Sequence, residues 1–81
     1  MLRKFKRIQI NPNIMLGKPV IRGTRIPVEL IIRKLGEGVS IEDLLDAYPN
    51  LKEEDIREAL TYASDVLKNE EIIYLEAGKH S

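Results

Sequence analysis

The stretch GKPVIRGTRIPV, residues 17–28, decides how this chain folds. It holds two glycines, two prolines and three basic residues within twelve positions, whereas the pattern after it is largely helical. Gly23 permits a turn with positive φ, and Pro27 suits the first position of a helix, where a missing N–H costs nothing. The stretch therefore predicts a junction between an extended segment and a helical body.

The residues before this junction predict a short β-hairpin arm. Residues 5–10, FKRIQI, alternate imperfectly between apolar and polar side chains, which favours a short edge strand. The tripeptide NPN at residues 11–13 is a turn signal. A second extended run covers residues 18–22, and its Pro19 has no N–H to give to a ladder, so this strand also lies at an edge.

Three helices are predicted after the junction. The first carries an apolar stripe from Val28 to Leu35 and ends at Gly36 or Gly38, one of them as a left-handed cap. The second is short, because Ser40 caps its start and Pro49 cannot extend it. The third runs from about residue 52 to 69. Its predicted buried stripe is Ile56, Ala59, Leu60, Ala63, Val66 and Leu67.

These elements predict a mainly α fold, a three-helix helix-turn-helix core with a short N-terminal β-hairpin arm. The 81 residues form a single domain, with a basic β arm at residues 1–26, a three-helix body at 27–69 and a C-terminal tail at 70–81. The tail has no strong period. It either extends the third helix, adds a strand or stays a tail until it binds a partner.

Composition excludes several kinds of chemistry. The chain has no cysteine and one histidine, His80, so we expect no disulfide, no histidine-based metal site, no cofactor and no catalytic triad. The acids Glu53, Glu54, Asp55 and Glu58 are interpreted as a solvated helix face. No signal peptide or membrane span is apparent, which predicts a cytoplasmic protein. No nucleophile–base pair or metal cluster is identifiable, so we expect that the protein is not an enzyme.

The net charge of zero hides a division between the two halves. Residues 1–34 carry nine basic residues and one acidic residue, and residues 35–81 carry four basic and twelve acidic residues. The halves therefore have net charges of +8 and −8. This division suggests two partners of opposite kind, a dimer that pairs unlike halves, or a monomer whose halves neutralise each other through salt bridges.

The positive charge lies on the predicted arm, whose basic side chains either contact DNA phosphates or a groove, or are solvated charges that protect an edge strand from aggregation. The candidate DNA-binding residues are Arg3, Lys4, Lys6, Arg7, Lys18, Arg22 and Arg25. In a helix-turn-helix motif the third helix would be the recognition helix, which enters the major groove. It is acidic here, so DNA would repel it. Two residues each have two possible roles. Arg25 contacts DNA or pairs with Glu29, and Thr24 caps the first helix or contacts a phosphate.

The sequence resembles the prokaryotic family called domain of unknown function 433 (DUF433). The resemblance rests on Asn13-Ile14, on GKPVI at residues 17–21 and on GTRIPV at residues 23–28. It continues through Gly38, Ser40 with the acidic pair that follows it, Tyr48-Pro49 and Glu54-Asp55-Ile56. It covers residue 8 to about residue 69.

That family is similar to the antitoxins of type II toxin–antitoxin pairs. The resemblance implies a homeodomain-like or winged helix-turn-helix fold, and a DNA-binding autorepressor that neutralises a PIN-like ribonuclease encoded beside it. We expect a homodimer, whose symmetry would match a palindromic operator. The apolar residues Ile72, Ile73, Tyr74 and Leu75 are our candidates for toxin contact, because a tail segment of this kind can order on binding. The alternative function is a protein-interaction module that does not bind DNA.

Overall fold

The computed structural model describes the backbone of residues 5–77 and the side chains of residues 5–69. Two short strands come first, β1 (Ile8–Gln9) and β2 (Val20–Ile21). Three helices follow, α1 (Val28–Gly36), α2 (Ile41–Ala47) and α3 (Glu53–Ala77). The mainly α fold with a short N-terminal hairpin, which the sequence predicts, is confirmed.

The hairpin is part of the core. β1 and β2 pair antiparallel with Ile8 opposite Ile21, and both of these side chains are buried. The loop between the strands contains a 3-10 turn, Met15–Gly17. Because Ile8 and Ile21 pack in the same cluster as Leu44 and Ile56, the arm at residues 1–26 and the body at residues 27–69 share one hydrophobic core.

The junction after β2 is a tight turn. The N–H of Thr24 donates to the carbonyl of Ile21 at 3.0 Å, and Gly23 between them has φ of +80°, which favours glycine. The main chain then returns to β2, since the N–H of Ile21 donates to the carbonyl of Ile26 at 2.9 Å. The sequence predicts Pro27 as the first helical residue, and this prediction is wrong. Its ψ of 145° is extended, and it precedes α1 as the N-cap.

The ends of α1 and α2 follow the sequence signals. The N–H of Val39 donates to the carbonyl of Lys34, and the N–H of Gly38 donates to that of Leu35, which is the Schellman pattern with a left-handed Gly38 (φ +97°). The hydroxyl of Ser40 accepts the N–H of Asp43 at 3.0 Å and caps α2. Both predicted caps are therefore confirmed.

The third helix differs from its prediction in two ways. It continues past residue 69 to Ala77, so the backbone of residues 70–77 is helical and 78–81 lie outside the described residues. Ile56 and Ala59 are buried as predicted, but Leu60, Val66 and Leu67 are 43, 38 and 60% exposed. At a rise of about 1.5 Å per residue, the 25 residues of α3 extend far beyond the nine of α1, so α1 covers the second part of α3 only incompletely.

Candidate binding grooves

The predicted DNA-binding residues do not form one surface. Arg3 and Lys4 lie outside the described residues. The other five are divided among four places: the N-terminal end of α3, the backbone of β1, and two separate grooves. The sequence groups these cations because they are near one another along the chain, whereas the hairpin directs them apart.

Arg7 is bound to the acidic start of α3. Its guanidinium lies 3.1 Å from Oδ1 of Asp55, and its main-chain N–H donates to the carboxylate of Glu58. The second oxygen of Asp55 accepts the N–H of Lys52 at 2.9 Å, so this 5% exposed carboxylate caps α3 as well as neutralising Arg7. At this contact the two oppositely charged halves neutralise each other within one chain.

Arg22 braces the hairpin. Its Nε donates to the carbonyl of Lys6 at 2.7 Å, and a terminal guanidinium nitrogen donates to the carbonyl of Ile8 at 3.2 Å. The N–H of Arg22 also donates to the carbonyl of Arg7 at 2.7 Å. Arg22 and Lys6 therefore occupy the same end of the hairpin, and both remain exposed.

The first groove, which we call the loop–turn groove, lies between the junction loop and the turn that joins α2 to α3. It encloses about 590 Å³. Its lining residues are Gln9, Ile14, Gly23, Thr24, Arg25, Ile26, Tyr48, Pro49 and Asn50. Two stretches that carry the family resemblance, GTRIPV and Tyr48-Pro49, thus meet on opposite walls of one groove although they are more than twenty residues apart in sequence.

Thr24 and Arg25, in the junction loop, do not make the contacts with α1 that the sequence suggests. Thr24 does not cap α1: its hydroxyl donates to the carbonyl of Ile21 at 2.7 Å and accepts the N–H of Ile26 at 3.0 Å, which holds the turn closed. Arg25 forms no ion pair with Glu29 or with any other described residue. A helix would bring residues four apart close together, but Arg25 precedes α1 and the extended Pro27 separates it from Glu29, so the two line different grooves.

The second groove, the α1–α3 groove, is mainly apolar. It encloses about 630 Å³ and is lined by Lys18, Pro19, Val28, Glu29, Ile32, Arg33, Tyr62, Ala63, Val66 and Leu67. A neighbouring hollow of about 600 Å³ adds Leu60, Ser64 and Lys68 and shares Ile32, Ala63 and Leu67. Together they form an apolar face along α3 with basic and acidic side chains at its rim.

Sequence reasoning missed this face because it assigned the whole stripe of α3 to the core. The available signal was length: a nine-residue α1 and a seven-residue α2 cannot cover a much longer third helix. The candidate toxin-contact positions Ile72, Ile73, Tyr74 and Leu75 lie on the same continuous helix, and their side chains are outside the described residues.

Metal and membrane functions receive no support from the described residues. No group of three or more His, Cys, Asp or Glu side chains in this part of the chain is placed to hold a metal ion. The acids at the start of α3 are instead engaged individually: Asp55 and Glu58 with Arg7, and Glu53 with Arg57 at 3.2 Å. Of the helices in the described part, none has the length and apolar character needed to cross a bilayer.

Comparison with known proteins identifies the family. Residues 8–63 match the family model described as protein of unknown function (DUF433), and the chain belongs to this family. A crystal structure of a DUF433 member protein from Anabaena variabilis superposes with a TM-score of 0.73 at 35% identity, covering 78% of this chain and 62% of that one.

Two sequence relatives have no stated activity. The uncharacterized protein y4eO of Sinorhizobium fredii is 45% identical over 53 residues, which are 65% of this chain and 24% of y4eO. An uncharacterized protein of Archaeoglobus fulgidus is 48% identical over 29 residues, 36% of this chain and 81% of that protein. The chain thus spans about a quarter of the Sinorhizobium relative and less than two thirds of the Anabaena protein.

Proposed function

We propose that this DUF433 domain is the antitoxin of a type II toxin–antitoxin pair, which binds and neutralises a PIN-like ribonuclease and represses its own operon. The observation that carries the proposal is the apolar face of α3, where Leu60, Val66 and Leu67 remain exposed beside Ile32 of α1. Contiguous apolar surface of this kind on a small domain marks a protein-binding site.

The shape of α3 supports a protein partner. Its first turns are anchored by Asp55 and Ile56, while its later turns run past α1 and continue to Ala77. Positions 60, 67 and 74 follow one another at seven-residue intervals, so an apolar face can continue from the described groove towards the candidate toxin-contact segment at 72–75. An amphipathic helix packed against a groove of the partner is a common form of recognition.

The toxin contact is tested with the nuclease encoded next to this chain. Leu67→Glu places a charge in the apolar face, and we expect it to abolish co-purification and to restore the RNase activity that the wild-type chain suppresses. Leu16→Glu is the matched control, because Leu16 is 94% exposed on the hairpin loop and lines neither groove. Wild-type binding by the Leu67→Glu chain would refute the assignment of this face.

Operator binding is assigned to Lys6 and Arg22, the exposed cations that share one end of the hairpin. The start of α3 is an unfavourable reading surface, because Glu53 and Glu54 are exposed there and would face the phosphates. Arg7 adds little to a DNA surface, since it is bound to Asp55 and Glu58.

Mobility shift of promoter DNA across a salt series tests this assignment. The Lys6→Glu variant should weaken binding and reduce the salt dependence of what remains. Lys34→Glu makes the same charge change outside the hairpin and should bind like wild type. Absence of a shift by the wild-type chain at low salt would instead favour the protein-interaction module without DNA binding, for which the internal engagement of Arg7 is the supporting observation.

A further inference from the structure

We propose that the loop–turn groove is a second protein-binding site, which takes one carboxylate side chain from an extended segment of a partner protein. Arg25 would form the ion pair, and the side-chain amides of Gln9 and Asn50 would donate to the same segment. This site is separate from the α1–α3 groove and does not depend on the proposed antitoxin function.

The charge of the lining favours an anionic group. Arg25 is the only charged side chain among the described residues that line the groove, so no acid opposes an incoming carboxylate. Its guanidinium is exposed and has no ion-pair partner in the described part of the chain. An unpaired guanidinium offers two parallel N–H donors, the arrangement that matches a carboxylate.

The polar lining points to a peptide rather than to a bare ion. The amides of Gln9 and Asn50 hold no hydrogen bond with another described residue, whereas the hydroxyl of Thr24 is already engaged in its turn. Ile14, Ile26 and Pro49 supply apolar wall, which can cover the methylene groups of a bound segment. A volume of about 590 Å³ accommodates a few residues.

Hydrogen bonds hold the main chain in place on both sides of the groove. On one side, Thr24 closes its turn through main-chain and hydroxyl bonds to Ile21. On the other side, the N–H of Tyr48 donates to the carbonyl of Leu44 at 3.0 Å, and the N–H of Leu51 donates to that of Tyr48 at 2.9 Å. The main chain around the groove is therefore preformed, and binding orders chiefly the side chains of Arg25, Gln9 and Asn50.

A carboxylate fits this groove better than duplex DNA does. Duplex DNA presents about one charge per 1.7 Å of its axis and needs several cations along its path, whereas one cation lines this groove. The segment that leads into Tyr48 is acidic, with Glu42, Asp43 and Asp46 exposed on α2. These acids tolerate a single neutralised carboxylate more readily than a run of phosphates.

NMR titration of the full chain tests the proposal with three probes. The first is a capped five-residue peptide with two aspartates among alanines, the second is the same peptide with asparagines, and the third is a short DNA duplex. We expect the aspartate peptide to shift the side-chain amides of Gln9 and Asn50 and the Nε–H of Arg25 in a saturable way. The asparagine peptide should bind about tenfold more weakly, since it forms no charge-assisted bond.

Two matched variants complete the experiment. Arg25→Gln should remove the preference for the aspartate peptide, while Lys18→Gln, which removes an exposed cation from the other groove, should retain it. Arg25→Lys keeps the positive charge but loses the paired N–H donors of the guanidinium, so it should bind the aspartate peptide at an intermediate level. This variant also provides a test if Arg25→Gln misfolds. The proposal is overturned by an absent or unsaturable shift, by equal binding of both peptides, by unchanged binding in the folded Arg25 variants, or by tighter binding of the duplex at the same amides.

Discussion

The first two turns of α3 and the turns that follow carry similar apolar residues in different surroundings. In the first part, Ile56 and Ala59 are fully buried and Asp55 is fixed by Arg7. In the second part, Leu60 and Leu67 recur at helical spacing but are 43 and 60% exposed. Among the described residues of α3, Ala59 is the last that is buried, and beyond it α1 forms one wall of an open groove instead of a cover.

One amphipathic helix can therefore serve both the fold and a binding partner. Its pattern alone does not say which apolar residues stabilise the fold and which remain for a partner, because both follow the same 3.6-residue period. The lengths of the neighbouring elements decide. Stability and binding should therefore separate along α3, and substitutions in its two parts can test that separation.

The largest effect on stability is expected from Ile56→Ala. Ile56 is 0% exposed, so its truncation should lower the free energy of unfolding by about 3 to 4 kcal/mol through lost burial and the cavity left behind. Val66→Ala, in the second part, should cost less than about 1 kcal/mol because that side chain is 38% exposed already. Urea unfolding measures both, and equal losses would contradict the division of α3.

Asp55→Ala should cost about 2 kcal/mol. The substitution removes the acceptor for the N–H of Lys52 and leaves Arg7 without its partner, although Arg7 is exposed enough to regain some water. Glu54→Ala is the control in the same helical turn, and its exposed carboxylate should contribute only a few tenths of a kcal/mol through the helix dipole. Thermal unfolding of both variants checks the prediction, and similar midpoints would argue against a stabilising role for Asp55.

The Arg7–Asp55 pair itself should contribute a smaller coupling, about 1 kcal/mol. A double-mutant cycle with Arg7→Ala and Asp55→Ala isolates this coupling from the cap that Asp55 also provides. Repeating the cycle at high salt shows how far the partly buried pair is screened. A coupling near zero would mean that Asp55 acts only as a cap, and that Arg7 is freer for other contacts than its position indicates.

The smallest stability effect is expected from Leu67→Glu, which should change the free energy of unfolding by less than about 0.5 kcal/mol. Leu67 already meets solvent over much of its surface, so a charge there disturbs little packing. If Leu67→Glu keeps its free energy of unfolding but loses toxin binding, the second part of α3 serves recognition and not folding. A large loss of stability would instead mean that Leu67 belongs to the core of the isolated chain.

Much of the fold is predictable from local chemistry. The order of elements and the caps at Ser40 and Gly38 follow from turn and capping preferences that act within a few residues. The extent of the buried stripe on α3 does not follow, because it depends on how far α1 and α2 reach. Burial is set by the neighbours of a helix, not by its own period.

The sites are less predictable than the fold. A row of basic residues suggests one surface, yet a hairpin sends successive side chains to different places, so Arg7 reaches α3 while Arg25 reaches the α2–α3 turn. Arg25 and Glu29 are four residues apart, yet α1 begins only at Val28, so no helical turn brings them together. That the GTRIPV stretch and Tyr48-Pro49 would meet could not be read from their separation in sequence.

The bond from the main chain of Arg7 to Glu58 also constrains the order in which the chain can fold during translation. It joins residues 51 positions apart, and the Arg7–Asp55 pair joins residues 48 apart. The hairpin emerges from the ribosome first but cannot complete its contacts until the start of α3 has followed it. The nascent hairpin, with its unpaired edges and basic side chains, therefore waits until Glu58 has been synthesised before its core closes.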